Sequence, residues 1–265
     1  MKQELKQSIF SWYFLIAVAV TAFSFSLALR DIPLKNLIGC DLFITLFNLG
    51  MQVTPLVIFL PLIASLPCGF RFIDEVNSYY FRFSLSRSSV RKYAFLKAAT
   101  AVITAFLAVF LGVLLCTVFF ALIAKPNDVN DVMYIQLYSG MIESRTYGPL
   151  LNIGDWAYVL VNIAFMSLFG AMWPLFGMIT CTYFKNRYVS MVMPFIAFFL
   201  FWQLLSRVGS FVPPINRYFV IINVYYGNYG NFEDPWLSAG LTVLFVLLWQ
   251  TVQFLWFKKR IKSCS

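Results

Sequence analysis

Charged residues divide this chain into long uncharged runs. Six such stretches stand out: Ile9–Leu29, Leu42–Leu66, Ala98–Ala124, Trp156–Cys181, Val189–Leu205 and Trp236–Phe257. Each is near or above the roughly 17–25 residues that an α-helix needs to cross a hydrocarbon core. Barrel strands would be about half as long and would alternate in polarity. The pattern predicts an all-α polytopic membrane protein, a six-helix transmembrane bundle with spans at residues 9–29, 42–66, 98–124, 156–181, 189–205 and 236–257. No linker or low-complexity tract interrupts residues 1–265, so they read as one domain.

The polar segments between the runs orient the bundle. Segments 1–8, 67–97, 182–188 and 258–265 hold fourteen Lys and Arg, whereas 30–41, 125–155 and 206–235 hold six. The basic side is expected in the cytoplasm. Both termini are then cytoplasmic in a multi-pass protein of the cell membrane. The fifth run is the shortest, with 17 residues from Val189 to Leu205, and Pro213-Pro214 soon after it would stop a helix. Segment 206–235 is rich in Tyr, Phe and Asn. It reads as an external re-entrant segment, with an aromatic belt at the headgroups as an equal alternative.

Composition agrees: 61% of residues are hydrophobic, 19% aromatic and only 12% charged, where soluble domains are about a quarter charged. The excess apolar surface needs lipid. A net charge of +9 would in a soluble protein suggest nucleic acid. Here the cations sit between apolar runs, so the expected surroundings are a bilayer and no nucleic acid. The absence of histidine removes histidine acid–base chemistry and histidine metal sites. Cys40, Cys68, Cys116, Cys181 and Cys264 show no CxxC spacing, and only Cys40 falls near the outer face, so buried or spare thiols are expected. Residues 127–131 (Asn-Asp-Val-Asn-Asp) lack the glycine and distal glutamate of a calcium loop. A turn or cap is expected there, and no metal site. The first apolar run is too long for the core of a cleavable signal.

Neither GxxxxGK[ST] nor GxGxxG occurs, so the chain cannot hydrolyse ATP by the P-loop route. No ionisable residue lies inside a run, which argues against proton coupling. The energy for transport would come from outside this chain, with sodium coupling through backbone oxygens as the remaining route. No catalytic residue, enzyme activity or cofactor is assigned to it. The most polar stripe is on the second run, where Thr45, Asn48 and Gln52 share one helical face. They are candidates for a translocation path, weighed against interhelical hydrogen bonding. Asn162, Gln203, Gln250 and Gln253 read as packing.

The segment 67–97 carries the most information. Phe72, Ile73, Val76, Tyr79, Tyr80 and Phe83 recur at helical spacing, with Asp74, Glu75, Asn77, Ser78 and Arg82 opposite. This predicts an amphipathic cytoplasmic helix lying in the interface plane. Residues 86–89 (Ser-Arg-Ser-Ser) read as a turn and helix start, and Arg91, Lys92 and Lys97 lead into the third run.

Phe72-x-Asp74-Glu75, the small Ser78, Leu85-Ser86-Arg87, Arg91-x-Tyr93 and Lys97 together resemble the cytoplasmic signature of type-two ABC exporter permeases. The six spans and the external segment before the last one also fit that family. The resemblance implies a permease subunit of an ATP-driven ABC exporter in a bacterial cell membrane. Its partners would be two separate ATPase subunits, which bind the ATP and Mg, and a second permease in a homo- or heterodimer. Asp74, Glu75, Ser78, Arg82, Arg87, Arg91, Tyr93 and Lys97 would then form the coupling element in a groove of the ATPase. Peptide-antibiotic or drug efflux is the favoured cargo. One departure is the amino-terminal segment, which is short beside the longer helix of many relatives. The rival readings are an ATP-independent secondary transporter or channel and a membrane-embedded enzyme.

Overall fold

A computed structural model describes residues 2–27, 30, 43–53, 55–78, 89–124, 139–140, 142, 146–184, 186–211, 221–229 and 234–264. All regular structure among these residues is helical. The helices are α1 (Lys2–Ile9), α2 (Trp12–Ser26), α3 (Phe43–Val53), α4 (Leu56–Asn77), α5 (Val90–Ile123), α6 (Asp155–Ala171), α7 (Pro174–Cys181), α8 (Arg187–Phe211) and α9 (Pro235–Cys264). Two short 3-10 turns, Gly148–Asn152 and Ile221–Val224, complete the order.

Five stretches are long and apolar enough to cross a membrane: Leu56–Asn77, Val90–Ile123, Asp155–Cys181, Arg187–Leu205 and Pro235–Ser263. Among the described residues the count is five, against the six expected from sequence. The first run yields only the 15-residue α2, capped at Ser11, whose Oγ accepts from the Phe14 N–H at 3.2 Å. At 1.5 Å per residue α2 spans about 22 Å, less than a hydrocarbon core of about 30 Å. The second run is two helices rather than one. Pro55 cannot donate to a helical ladder, and α3 ends before it while α4 begins after it.

The separate amphipathic helix expected from Phe72 onward is corrected over residues 72–77. Residues 72–77 are the last turns of α4, continuous with the apolar stretch before them. Phe72 and Ile73 are 4% and 1% exposed and pack with Tyr93, Ala94 and Phe257 in a second apolar cluster. A helix resting on headgroups and one continuing along a bundle bury the same periodic face, so the spacing suits both. Tyr79, Tyr80, Arg82, Phe83 and Arg87 lie outside the described residues.

α5 is the central column, packed against α2, α4, α6 and α9. Its buried seam is made of small residues three and four apart: Ala94, Ala98, Ala101, Ala105, Ala108 and Gly112. Small side chains let helices approach closely where no water drives them together. At Gly112 a Cβ would stand 2.8 Å from the Val18 carbonyl oxygen and 2.6 Å from Thr21 Cβ, so only hydrogen fits against α2. The outer helices differ. Only 17% of the apolar stretch of α8 and 22% of that of α9 is buried, with Leu200, Leu204, Leu247 and Leu248 facing outward. Apolar faces of this extent need an apolar surrounding, which is consistent with a membrane location.

Candidate functional sites at the two ends of the bundle

One end collects α1, the end of α4, the starts of α5 and α8, and the ends of α7 and α9. Lys97, on α5, is its hub. Its Nζ donates to Glu4 Oε2 at 2.8 Å and to Glu75 Oε1 at 2.7 Å, tying α1 and α4 to α5. Tyr93, one turn earlier, donates its hydroxyl to Glu75 Oε2 at 3.2 Å. Arg71 adds a guanidinium 3.8 Å from Glu75 Oε1 and bonds Gln7 of α1. Two carboxylates therefore face two cations. The Lys97 and Glu75 side chains are 10% and 14% exposed, so the network is largely withdrawn from water. Desolvated charges of this kind persist only when paired and hydrogen-bonded.

The acidic pair of the signature is thus split. Glu75 turns inward, whereas Asp74, 45% exposed, forms an ion pair with Arg187 at the start of α8. Ser78 closes α4 by donating its hydroxyl to the Asp74 carbonyl oxygen at 2.7 Å. Ser89 caps α5, its Oγ accepting from the Lys92 N–H at 3.3 Å, as the helix-start reading anticipated. Arg91 is exposed beside that cap. So Glu75, Tyr93 and Lys97 meet in one network, Asp74, Ser78 and Arg91 lie around it, and Arg82 and Arg87 lie outside the described residues. Glu4 and Gln7 were not singled out by sequence, since an eight-residue helix gives too little periodicity to reveal which side it buries, and Arg71 and Arg187 read only as cations of the basic side.

At the opposite end the contacts described below are between uncharged groups. Tyr147 donates its hydroxyl to the Gly227 carbonyl oxygen at 2.5 Å and stacks on Phe165, with ring centroids 5.2 Å apart. Gly227 has φ +65°, and a Cβ there would lie 2.4 Å from the Phe165 ring. The Tyr229 N–H donates to Thr242 Oγ1 at 3.1 Å, and its ring stacks on Phe245. These contacts press residues 221–229 into the bundle, where Ile221, Val224 and Tyr225 are buried. Burial pushes the titration of the Tyr147 hydroxyl upward and that of Tyr225 well upward.

Beneath this cap lies a cavity of about 360 Å³, lined in part by Gln52, Tyr147, Tyr158, Asn162, Tyr226 and Asn228. Of the stripe on the second run, Gln52 reaches the cavity wall. Asn48 is buried and accepts from the Tyr158 hydroxyl at 2.9 Å, and Thr45 is half-buried on the same helix. The stripe therefore divides between wall and interhelical hydrogen bond. Asn162, read from sequence as packing, does both: it lines the cavity and donates Nδ2 to the Tyr158 carbonyl oxygen at 2.9 Å.

Between the two ends, α6 breaks before Pro174. The freed carbonyls of Ala171 and Met172 are taken by Gln250 Nε2 and by Trp249 Nε1, the latter at 3.3 Å. That gives Gln250 a packing role, since a broken helix in an apolar setting needs its backbone re-satisfied. Cys68, Cys116 and Cys181 are free and buried.

Comparison of the chain with protein-family models, with curated proteins and with solved structures found no match.

Proposed function

We propose that this chain is the membrane-spanning permease subunit of an ATP-driven exporter, working with a second permease and with separate P-loop ATPase subunits. The observation that carries the reading is the meeting of Glu75 with Tyr93 and Lys97. Residues that the signature places on either side of an unrelated-looking stretch of sequence form one hydrogen-bonded unit. That unit fixes the end of α4 against the start of α5, the two elements that flank the proposed coupling segment. Asp74, Ser78 and Arg91 remain at the rim, where a partner can touch them.

Further support comes from the shared end. Glu4 on α1 and Arg260 on α9 both fall on the basic side, Arg260 bonding Thr182 after α7. This suits a topology with both termini in the cytoplasm. The inward packing of residues 221–229 suits the external re-entrant segment of such permeases. The test is capture of the full chain from its own membranes in mild detergent. A P-loop ATPase should co-purify, and the complex should hydrolyse ATP while the chain alone does not. Hydrolysis by the chain alone, or ATP-independent transport by it in liposomes, would overturn the reading.

A further inference from the structure

We infer that a groove between the start of α5 and the end of α9 holds an anionic phospholipid, its phosphate at Arg91 and Lys92 and its chains along Phe95 and Phe254. Nothing in this inference rests on the pairing with an ATPase: Lys92, Phe95 and Phe254 have no part in that reading.

The groove has a volume of about 520 Å³ and is lined in part by Ser89, Arg91, Lys92, Phe95 and Phe254. Helical spacing gathers the α5 contribution on one face. Phe95 follows Arg91 by four residues and Lys92 by three, so its ring lies one turn below both cations. Arg91, Lys92 and Phe95 are all exposed. Lys97, two positions past Phe95, turns to the other side of α5, where it meets Glu4 of α1. Phe254 supplies the second wall, its ring meeting that of Phe95 edge to face with centroids 6.3 Å apart. Because α9 ends where α5 begins, the residue one turn beyond Phe254 comes level with the two cations. That residue is Lys258. Three basic positions therefore stand one turn above one aromatic pair.

The order of this chemistry selects the ligand. Below the pair the same faces run on through Ala99 and Val102 of α5 and the exposed Leu247 of α9. All three lie in stretches long and apolar enough to cross a membrane. An acidic protein segment or a nucleotide would match the cations, but neither carries a long apolar chain down such a face. A phospholipid has its charge at one end and its chains at the other, in the order the groove requires. Arg offers paired donors to a phosphate and Lys a mobile point charge. Both keep their stems on apolar surface while the charged head follows the headgroup layer. Basic pockets between membrane helices recognise lipid headgroups in this way. A zwitterionic headgroup would bring its own cation toward Arg91 and Lys92, so a lipid of net negative charge is preferred.

The experiment uses the full chain in nanodiscs of phosphatidylcholine and phosphatidylglycerol in equal parts. Native mass spectrometry of the released protein counts the lipids of each kind that it retains. Wild type should retain phosphatidylglycerol in preference to phosphatidylcholine. Lys92→Gln and Arg91→Gln should each lower that preference about fivefold, as expected for one basic residue at an anionic lipid surface, and the double variant should lower it further. Lys6→Gln removes an exposed cation from α1 at the same end and should leave the preference unchanged. Thermal melts check that all variants fold. Equal retention of the two lipids by wild type, an unchanged preference in the double variant, or an equal fall with Lys6→Gln would overturn the inference, the last by showing a diffuse basic surface instead of a groove.

Discussion

At one end of the bundle Lys97 stands between two carboxylates, and three helices depend on it. At the other, Tyr147 holds the carbonyl of a left-handed glycine, and an aromatic stack closes over a cavity whose described lining residues are uncharged. The first ties helices α1 and α4 to the central column α5, and the second holds residues 221–229 against α6 and α9. They differ in reach and in tolerance. Charges bind α1, α4 and α5 strongly, but each becomes a liability when its partner is removed. The neutral end depends on shape: a carbonyl, a ring face and a position where only glycine fits.

The largest effect should follow from removing the hub. Lys97→Met leaves Glu4 and Glu75 facing each other with Arg71 as the remaining cation, at an expected cost of about 3 kcal/mol. Adding Glu75→Gln to that variant should recover part of the loss. Thermal unfolding in one detergent measures both. A Lys97→Met protein as stable as wild type would mean that the network is solvated and weak.

Gly227→Ala comes next, at about 2–3 kcal/mol, because the new methyl meets both a positive φ and the Phe165 ring. The same unfolding assay reads it, and a loss no larger than that of Gly240→Ala, where a Cβ has open space, would contradict the packing of the cap.

Tyr147→Phe should cost about 1 kcal/mol through its lost bond to Gly227. It also carries a pH signature. Burial raises the Tyr147 value in the folded state, so the unfolded chain loses this proton first, near pH 10. The contribution is full below that pH and declines as pH rises toward the folded value. Alkaline unfolding curves of wild type and Tyr147→Phe should therefore converge. Parallel curves would show the hydroxyl to be exposed.

Asp74→Lys should change stability least, by about 0–1 kcal/mol, since its pair with Arg187 is half exposed. The interest of this variant lies in what else it changes.

Much of this was legible in the charge pattern. Asp155, Arg187 and Pro235 begin helices close to the expected span limits, because runs without charge and helices in an apolar setting are the same stretches. Ser89 was legible as a cap because its side chain acts on its own neighbours. The break at Pro55 was hidden: α3 and α4 are apolar alike, so hydropathy joins them. Residues 72–77 misled for the opposite reason, since their periodic face fits a headgroup layer and a bundle equally well. The roles of Glu4 and Tyr147 depend on partners 93 and 80 positions away, Lys97 and Gly227. No local pattern encodes such a distance. Gln52 was reached by spacing, whereas the cavity needed Tyr226 and Asn228 folded over it.

Asp74 and Glu75 are neighbours in sequence whose side chains the fold directs to different partners, Arg187 and Lys97. One measurement addresses this directly: the yield of co-purified ATPase, and its hydrolysis, for Asp74→Lys compared with Lys259→Glu, both in chains that melt like wild type. Asp74→Lys should lower capture or uncouple hydrolysis by about tenfold or more, as a reversed interfacial charge does, while Lys259→Glu behaves as wild type. Equal capture and equal hydrolysis for the two variants would contradict the assignment of this rim to an ATPase.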